Sequence, residues 1–450
     1  VQAKCVTTGD VDGDGDLDVL SSSRTDMVIA WYQNLSIHRS ALFPQQSIIS
    51  TAADFPVDII ASDVDGDGDM DALAAFNNDN LIAWYENISC NPLAFTPHSI
   101  SSAAMGAQSV YVADMDRDGH LDVLSASQAD DKIAWYKNNG LAVFGAPNVI
   151  STSADGASAV FAADVDGDGD IDALSASQSD GEIVWYESDG AYPPAFTNHL
   201  ISSLAEGALD VFAIDLDSDG DIDVLSASQG DAGSGGKLAW YENTDGAGTF
   251  GSQQVVSSAN GLSGVFATDM DRDGDVDLLS TASSDNTVAW HENDGSQNFT
   301  EHAISTVASG ATSVYASDLD HDGDVDVLSA SQADDKVAWY ESNGASTPTF
   351  TEHVITQDPD GAGLLQGDAD QADTVFAADM DSDGDLDVLS ASSLDDKLAY
   401  YENLGAQAAF TIVDRAQRVF LNAQVEDLFS VELFHRGRAG DSDSELACLQ

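Results

Sequence analysis

The chain has 450 residues, with 14 lysines and arginines against 79 aspartates and glutamates and a formal net charge of −65. So few basic residues exclude a nucleic-acid binder, which must neutralise phosphates with basic patches, and argue against attraction to an anionic membrane surface. Hydrophobic residues make up 43% and aromatic residues 8%, enough to build a core, so the acidity does not signify disorder.

No apolar stretch approaches the ~20 residues needed to cross a bilayer. The chain opens VQAKCVTTGD without a Met, as expected if a signal peptide has been removed or lies outside the sequence. The first element is the β-prone KCVTTGD, followed by DVDGDGDLD from Asp10. Related nine-residue segments begin at Asp63, Asp114, Asp164, Asp215, Asp269, Asp318 and Asp379, separated by 53, 51, 50, 51, 54, 49 and 61 residues. The eight segments hold 39 of the 79 acidic residues and two of the 14 basic ones, so the charge has a local cause. A period near 50 indicates a propeller, solenoid or array.

The unit from Ala157 to Ser202 shows the pattern. ASAVFAAD is a β-prone run, DVDGDGDID the acidic loop, LSASQSDG a run into a turn, EIVWYES a third strand and FTNHLIS a fourth. Short runs rich in Val, Ile, Phe, Tyr and Trp, bounded by Gly, Asp, Asn or Ser, read as strands joined by hairpins. The expected fold class is therefore all-β, a β-propeller of four-stranded antiparallel blades. Eight blades are expected, with seven the alternative. Residues 1–413 form the repeat domain, and residues 414–450, which hold Arg415, Arg418, Arg436 and Arg438, form a capping or docking extension. Eight whole repeats leave no strand over to complete a blade from the opposite end. A bond between Cys5 and Cys448 would staple such a ring, and three unpaired thiols is the alternative. Third-strand Trp and fourth-strand Phe residues read as packing, and His98, His199, His302 and His353 as edge-strand surface residues.

The acidic loops carry the chemistry. Numbered from the first Asp, positions 1, 3, 5 and 9 are Asp in all eight, position 6 is always Gly, and position 7 is Asp except for one His. Crowded carboxylates repel unless a cation sits among them. Alternate residues of a tight loop turn inward, Gly permits the sharp turn, and position 7 offers its carbonyl. An all-oxygen shell favours Ca²⁺ over Mg²⁺. The candidate metal residues of the first two repeats are Asp10, Asp12, Asp14, Asp16 and Asp18, then Asp63, Asp65, Asp67, Asp69 and Asp71. The third and fourth give Asp114, Asp116, Asp118, His120 and Asp122, then Asp164, Asp166, Asp168, Asp170 and Asp172. The fifth and sixth give Asp215, Asp217, Asp219, Asp221 and Asp223, then Asp269, Asp271, Asp273, Asp275 and Asp277. The last two give Asp318, Asp320, Asp322, Asp324 and Asp326, then Asp379, Asp381, Asp383, Asp385 and Asp387. An EF-hand is rejected, because position 12 is Ser or Ala rather than Glu and the flanks are strands. About eight Ca²⁺, one per repeat, is the expected cofactor complement, and its role is structural.

These D-x-D-x-D-G-x-x-D loops between strands, followed by LSAS and WYEN, resemble FG-GAP repeats of the VCBS type over about residues 1 to 413. The resemblance implies a propeller like that of integrin α-subunit heads and some fungal lectins, with Ca²⁺ in the hairpin between first and second strands. Strand alternation puts the cages on one face and variable loops such as SQGDAGSGGK on the other, and ligand recognition is expected on that other face or in the grooves between blades. The expected function is a secreted or cell-surface binding, adhesion or structural module. Its partners would be a glycan or an extracellular protein, or further copies of itself. Uniform repeats without one asymmetric constellation point away from an enzyme. The alternative is a polysaccharide lyase or hydrolase on a propeller. Sequons at Asn34, Asn87 and Asn298 permit N-glycosylation.

Overall fold

The structure, a computed structural model, describes residues 3–9, 18–23, 28–32, 41–43, 46–90, 93–230, 235–357 and 369–404. Seven four-stranded antiparallel sheets form the blades of a propeller. Their innermost strands are Pro56–Ser62 (blade 1), Ala107–Ala113 (blade 2), Ala157–Ala163 (blade 3), Ala208–Ile214 (blade 4), Leu262–Thr268 (blade 5), Ala311–Ser317 (blade 6) and Ala372–Ala378 (blade 7). In blade 3 the order outward is Ala157–Ala163, Asp172–Ser177, Glu182–Ser188 and Phe196–Ser202. Each acidic loop of the seven blades lies between the first and second strands of its blade, where the sequence places it.

The expectation of eight blades is corrected to seven. The outer strand of blade 7 is Gln46–Ser50, the fourth strand of the first repeat, which pairs with Lys397–Tyr401 in the register Leu398↔Ser50 to Tyr401↔Gln46. A strand was therefore available to complete a blade from the opposite end of the chain. The first three strands of that repeat, Ala3–Gly9, Asp18–Ser23 and Val28–Tyr32, pair as a separate three-stranded sheet. The segment FTIVD, read as the last fourth strand, lies outside the described residues, as do residues 10–17, the 414–450 extension and Cys448.

Packing explains why seven blades close. Seven hydrophobic clusters occur among the described residues, one at each junction between neighbouring blades. The cluster joining blade 7 to blade 1 combines Met380, Leu389 and Leu398 with Ile59, Ala72 and Phe76, and Ile49 of the borrowed strand packs against it. That seam is as well filled as the others. Fourth-strand Phe residues lie edge-on to the third-strand aromatic of the preceding blade, as Phe250 does to Trp185 and Phe95 to Tyr400. Phe43 reaches Trp339 of blade 6 in the same way, at 6.4 Å between ring centres. The residues before Gln46 thus supply blade 7 with its outer packing as well.

The second strands, of the type DVLSAS, are buried on both faces because each blade is sandwiched between two others. Small Ala and Ser residues permit that approach. In five blades the first Ser of the run meets a third-strand hydroxyl, for example Ser175 Oγ with Tyr186 Oη at 3.2 Å. Where His291 replaces the Tyr, its Nε2 meets Ser280 Oγ at 2.8 Å, and burial pushes the imidazole down to about 4, keeping it neutral. Around the axis, Tyr111, Phe161, Phe212, Phe266, Tyr315 and Phe376 follow one another from blade 2 to blade 7, with ring centres 4.6–5.3 Å apart.

Candidate metal centres

Each acidic loop is shaped by two left-handed residues and its own carboxylates. Position 4 has positive φ in all seven described loops, from 56° at His321 to 77° at Gly66. Position 6, always Gly, has φ between 89° and 101°, a region that side chains rarely adopt. The position 1 carboxylate accepts the N–H of this Gly, as in Gly169 N to Asp164 Oδ2 at 3.0 Å. In five loops position 3 accepts from position 5, as in Asp168 N to Asp166 Oδ1 at 3.2 Å. In all seven position 5 accepts from position 7, as in Asp170 N to Asp168 Oδ1 at 2.9 Å. In blades 2 and 7 the position 5 N–H goes to position 1.

Position 9 joins the loop to the blade. Asp172 accepts Val165 N on Oδ2 at 3.1 Å and Ser188 N on Oδ1 at 2.8 Å, and the equivalent pair of bonds recurs in every blade. Burial nevertheless pushes these carboxyls up, to about 7 for Asp71, Asp122 and Asp223, about 6 for Asp172 and Asp277, and about 8 for Asp326. Sites that penalise several anions so heavily suit a bound cation.

Three of the predicted side chains converge in each of five loops. Ligand oxygens of Asp63, Asp65 and Asp71 lie within 4.8 Å of one another, as do those of Asp114, Asp116 and Asp122, of Asp164, Asp166 and Asp172, and of Asp215, Asp217 and Asp223. In blade 5 the group is Asp269, Asp271 and Asp273. The residues present fit a hard divalent cation. Oδ1 of Asp164, Asp215, Asp269 and Asp318 is buried without a hydrogen-bond partner, a costly state that coordination would relieve. An all-oxygen donor set of carboxylates and a backbone carbonyl matches Ca²⁺.

Position 7 is placed differently. Asp170, Asp221, Asp275 and Asp324 lie where a Cβ on Gly190, Gly246, Gly295 or Gly344 would collide with them, and His120 lies likewise against Gly140. Their side chains are turned toward the third-to-fourth loop, so what position 7 offers a cation is its carbonyl. Some also take partners from the preceding loop. Arg117 pairs with Asp170 and donates to the Gly169 carbonyl at 3.1 Å; Arg272 pairs with Asp324 at 2.9 Å, and His321 with Asp385 at 3.3 Å.

Two features escaped the sequence reading. The Glu of the WYE motif stands beside the cage: Glu86, Glu187, Glu242, Glu292 and Glu341 help push up Asp65, Asp166, Asp217, Asp271 and Asp320, where burial is the main cause. The recurring His residues are not merely surface positions. His98, His199, His302 and His353 stack on Trp84, Trp185, Trp290 and Trp339 at 4.4–4.6 Å and bond Glu86, Glu187, Glu292 and Glu341 at 2.7–2.8 Å. The signal was available, since the four His residues occur opposite a Trp followed two residues later by Glu. Asn87, one of the three sequons, has no exposed surface and its amide is committed to backbone carbonyls, so the folded protein offers no glycosylation site there.

Comparison with known proteins agrees with this architecture. No protein of curated function is similar to the chain in sequence. Among solved structures, two of "BBS1N in complex with ARL6DN", soaked with mercury and with lead, share the fold. They show 11% and 12% identity and TM-scores of 0.53 and 0.52, covering 82% and 84% of this chain and 99% of theirs. The model of the FG-GAP-like repeat matches at residues 10–74, 63–125, 114–175, 164–226, 215–280, 269–329 and 318–390, each window running from one acidic loop into the second strand after the next. With seven matches across most of its length and a propeller built on those repeats, the chain belongs to the FG-GAP-like repeat family.

Proposed function

We propose that this protein is a calcium-stabilised binding module of the extracellular space that presents its rigid ring to a protein partner. The observation that carries the reading is the repeated cage, with converging aspartates and buried carboxylate oxygens lacking partners at the same point of successive blades. Loops with this donor set, on an outer surface, suit millimolar extracellular calcium. Repetition supports a non-catalytic role, because catalysis relies on one asymmetric constellation of groups. A propeller of the same fold is found with a protein partner in the BBS1N–ARL6DN structures, which favours a protein over a glycan. The cages and third-to-fourth loops occupy one face, so the partner is expected at the second-to-third loops on the other.

Cross-linking mass spectrometry on the secreted and surface proteome, in millimolar calcium and in EGTA, tests this. Calcium-dependent cross-links from one protein, concentrated on the second-to-third loops, are expected. Binding on a glycan array without such a partner, or release of cleaved oligosaccharides, would overturn it.

A further inference from the structure

The acidic loops are not all alike in charge. In six blades the third strand runs from its aromatic pair into a glutamate: Glu86, Glu187, Glu242, Glu292, Glu341 and Glu402. Blade 2 alone has a lysine, Lys137. Its ammonium lies between the position 3 and position 5 carboxylates, paired with Asp116 and 2.5 Å from Asp118. The Asp116 side chain is completely buried there, whereas that of Lys137 keeps some exposure.

The ammonium is also covered from the neighbouring blade. Tyr192, in the third-to-fourth loop of blade 3, places its ring over Nζ at 4.8 Å from the ring centre, in a cation–π arrangement. The same loop has lost an acid at position 7, where His120 stands. Blade 3 gathers five loop aspartates and Glu187, while blade 2 gathers four aspartates and a lysine.

We propose that Lys137 is the resident cation of the blade 2 loop, so that this loop closes without a metal while its neighbours take one each. A compact ammonium with three donors can bridge two carboxylates much as an ion does, and like-charge repulsion then keeps a divalent ion out. The proposal rests on the reading of the other loops as calcium sites and refines its stoichiometry. The first repeat contributes equally to every variant compared, so the test is a difference.

Bound calcium is counted by elemental analysis on the full chain and on single variants after gentle desalting. Lys137→Glu, which gives blade 2 the residue its neighbours have, is expected to gain one calcium per chain. Asp116→Ala is expected to leave the count unchanged, whereas Asp166→Ala in blade 3 loses one. Should Lys137→Glu not fold, the contrast between Asp116→Ala and Asp166→Ala still decides. Loss of one calcium in Asp116→Ala, or no gain in folded Lys137→Glu, would overturn the proposal. Absence of calcium from the native chain and all variants would instead overturn the reading of the cages.

Discussion

The Asn87 side-chain amide donates to the carbonyl of Met380 at 2.8 Å, joining the first blade to the last across 293 residues of sequence. The same bond runs from Asn138 to Val64, Asn243 to Val165 and Asn403 to Leu319, each reaching position 2 of the preceding blade's acidic loop. Four of the seven described loops are thus held from both sides, by their own position 9 aspartate and by an Asn from the next blade. A cation bound in one of these loops would therefore act on the junction between blades.

Asn87→Ala is expected to destabilise the ring by about 1–3 kcal/mol, since it leaves the buried Met380 carbonyl without its donor. Denaturant unfolding measures this. A cost near zero would mean that the seam does not depend on the bond.

The borrowed strand predicts a second effect. Ile49→Asp puts a carboxylate against the cluster of Met380, Leu389 and Leu398, which should release Gln46–Ser50 and expose the edge of Lys397–Tyr401. An open edge invites pairing with another chain. A lower melting temperature with concentration-dependent association in light scattering is expected; a monomer of native stability would count against seven-blade closure.

Two aspartates on innermost strands give a pH dependence. Burial pushes Asp58 up to about 6 and Asp210 up to about 7, although each accepts an N–H from the next blade, Val110 or Val265, at 2.9 Å. A carboxyl with a raised folded value favours the folded state most below its unfolded value of 3.8, and that contribution is lost as pH rises through about 6 to 7. Asn keeps the acceptor without the charge. Asp58→Asn and Asp210→Asn should therefore gain about 1–2 kcal/mol over the native protein at pH 8 and little at pH 4. A variant-minus-native difference in melting temperature that is flat with pH would refute this.

Glu187 adds a negative charge beside Asp166 and is itself held by His199. Ligand charge tunes calcium affinity, so Glu187→Gln should weaken binding in blade 3 by about tenfold while leaving the other sites unchanged. Titration calorimetry with calcium would resolve one weakened site in the series. An unaltered isotherm would remove the glutamate from the cage.

Much of this was legible in the sequence, because the features involved are local. The D-x-D-x-D-G-x-x-D loops, their place between first and second strands, the packing role of Trp and Phe and the four-stranded blade all follow from residues a few positions apart. Blade number did not. The strand Gln46–Ser50 looks like any other fourth strand, and only its pairing with residues some 350 positions later shows that it serves blade 7. The cage glutamates were missed for a similar reason, since Asp166 lies in the acidic loop and Glu187 on the third strand, 21 residues later. Lys137 was visible as the one WYK among WYE motifs, but its meaning depends on where the ammonium sits relative to Asp116 and Asp118.

Differential scanning calorimetry of the native chain in millimolar calcium and in excess EGTA tests the central claim most directly, because the free energy of metal binding to a loop that forms only on folding is folding free energy. The account predicts a fall in melting temperature of about 10 °C or more in EGTA, reversed by added calcium. Superimposable melting curves in the two buffers would contradict it.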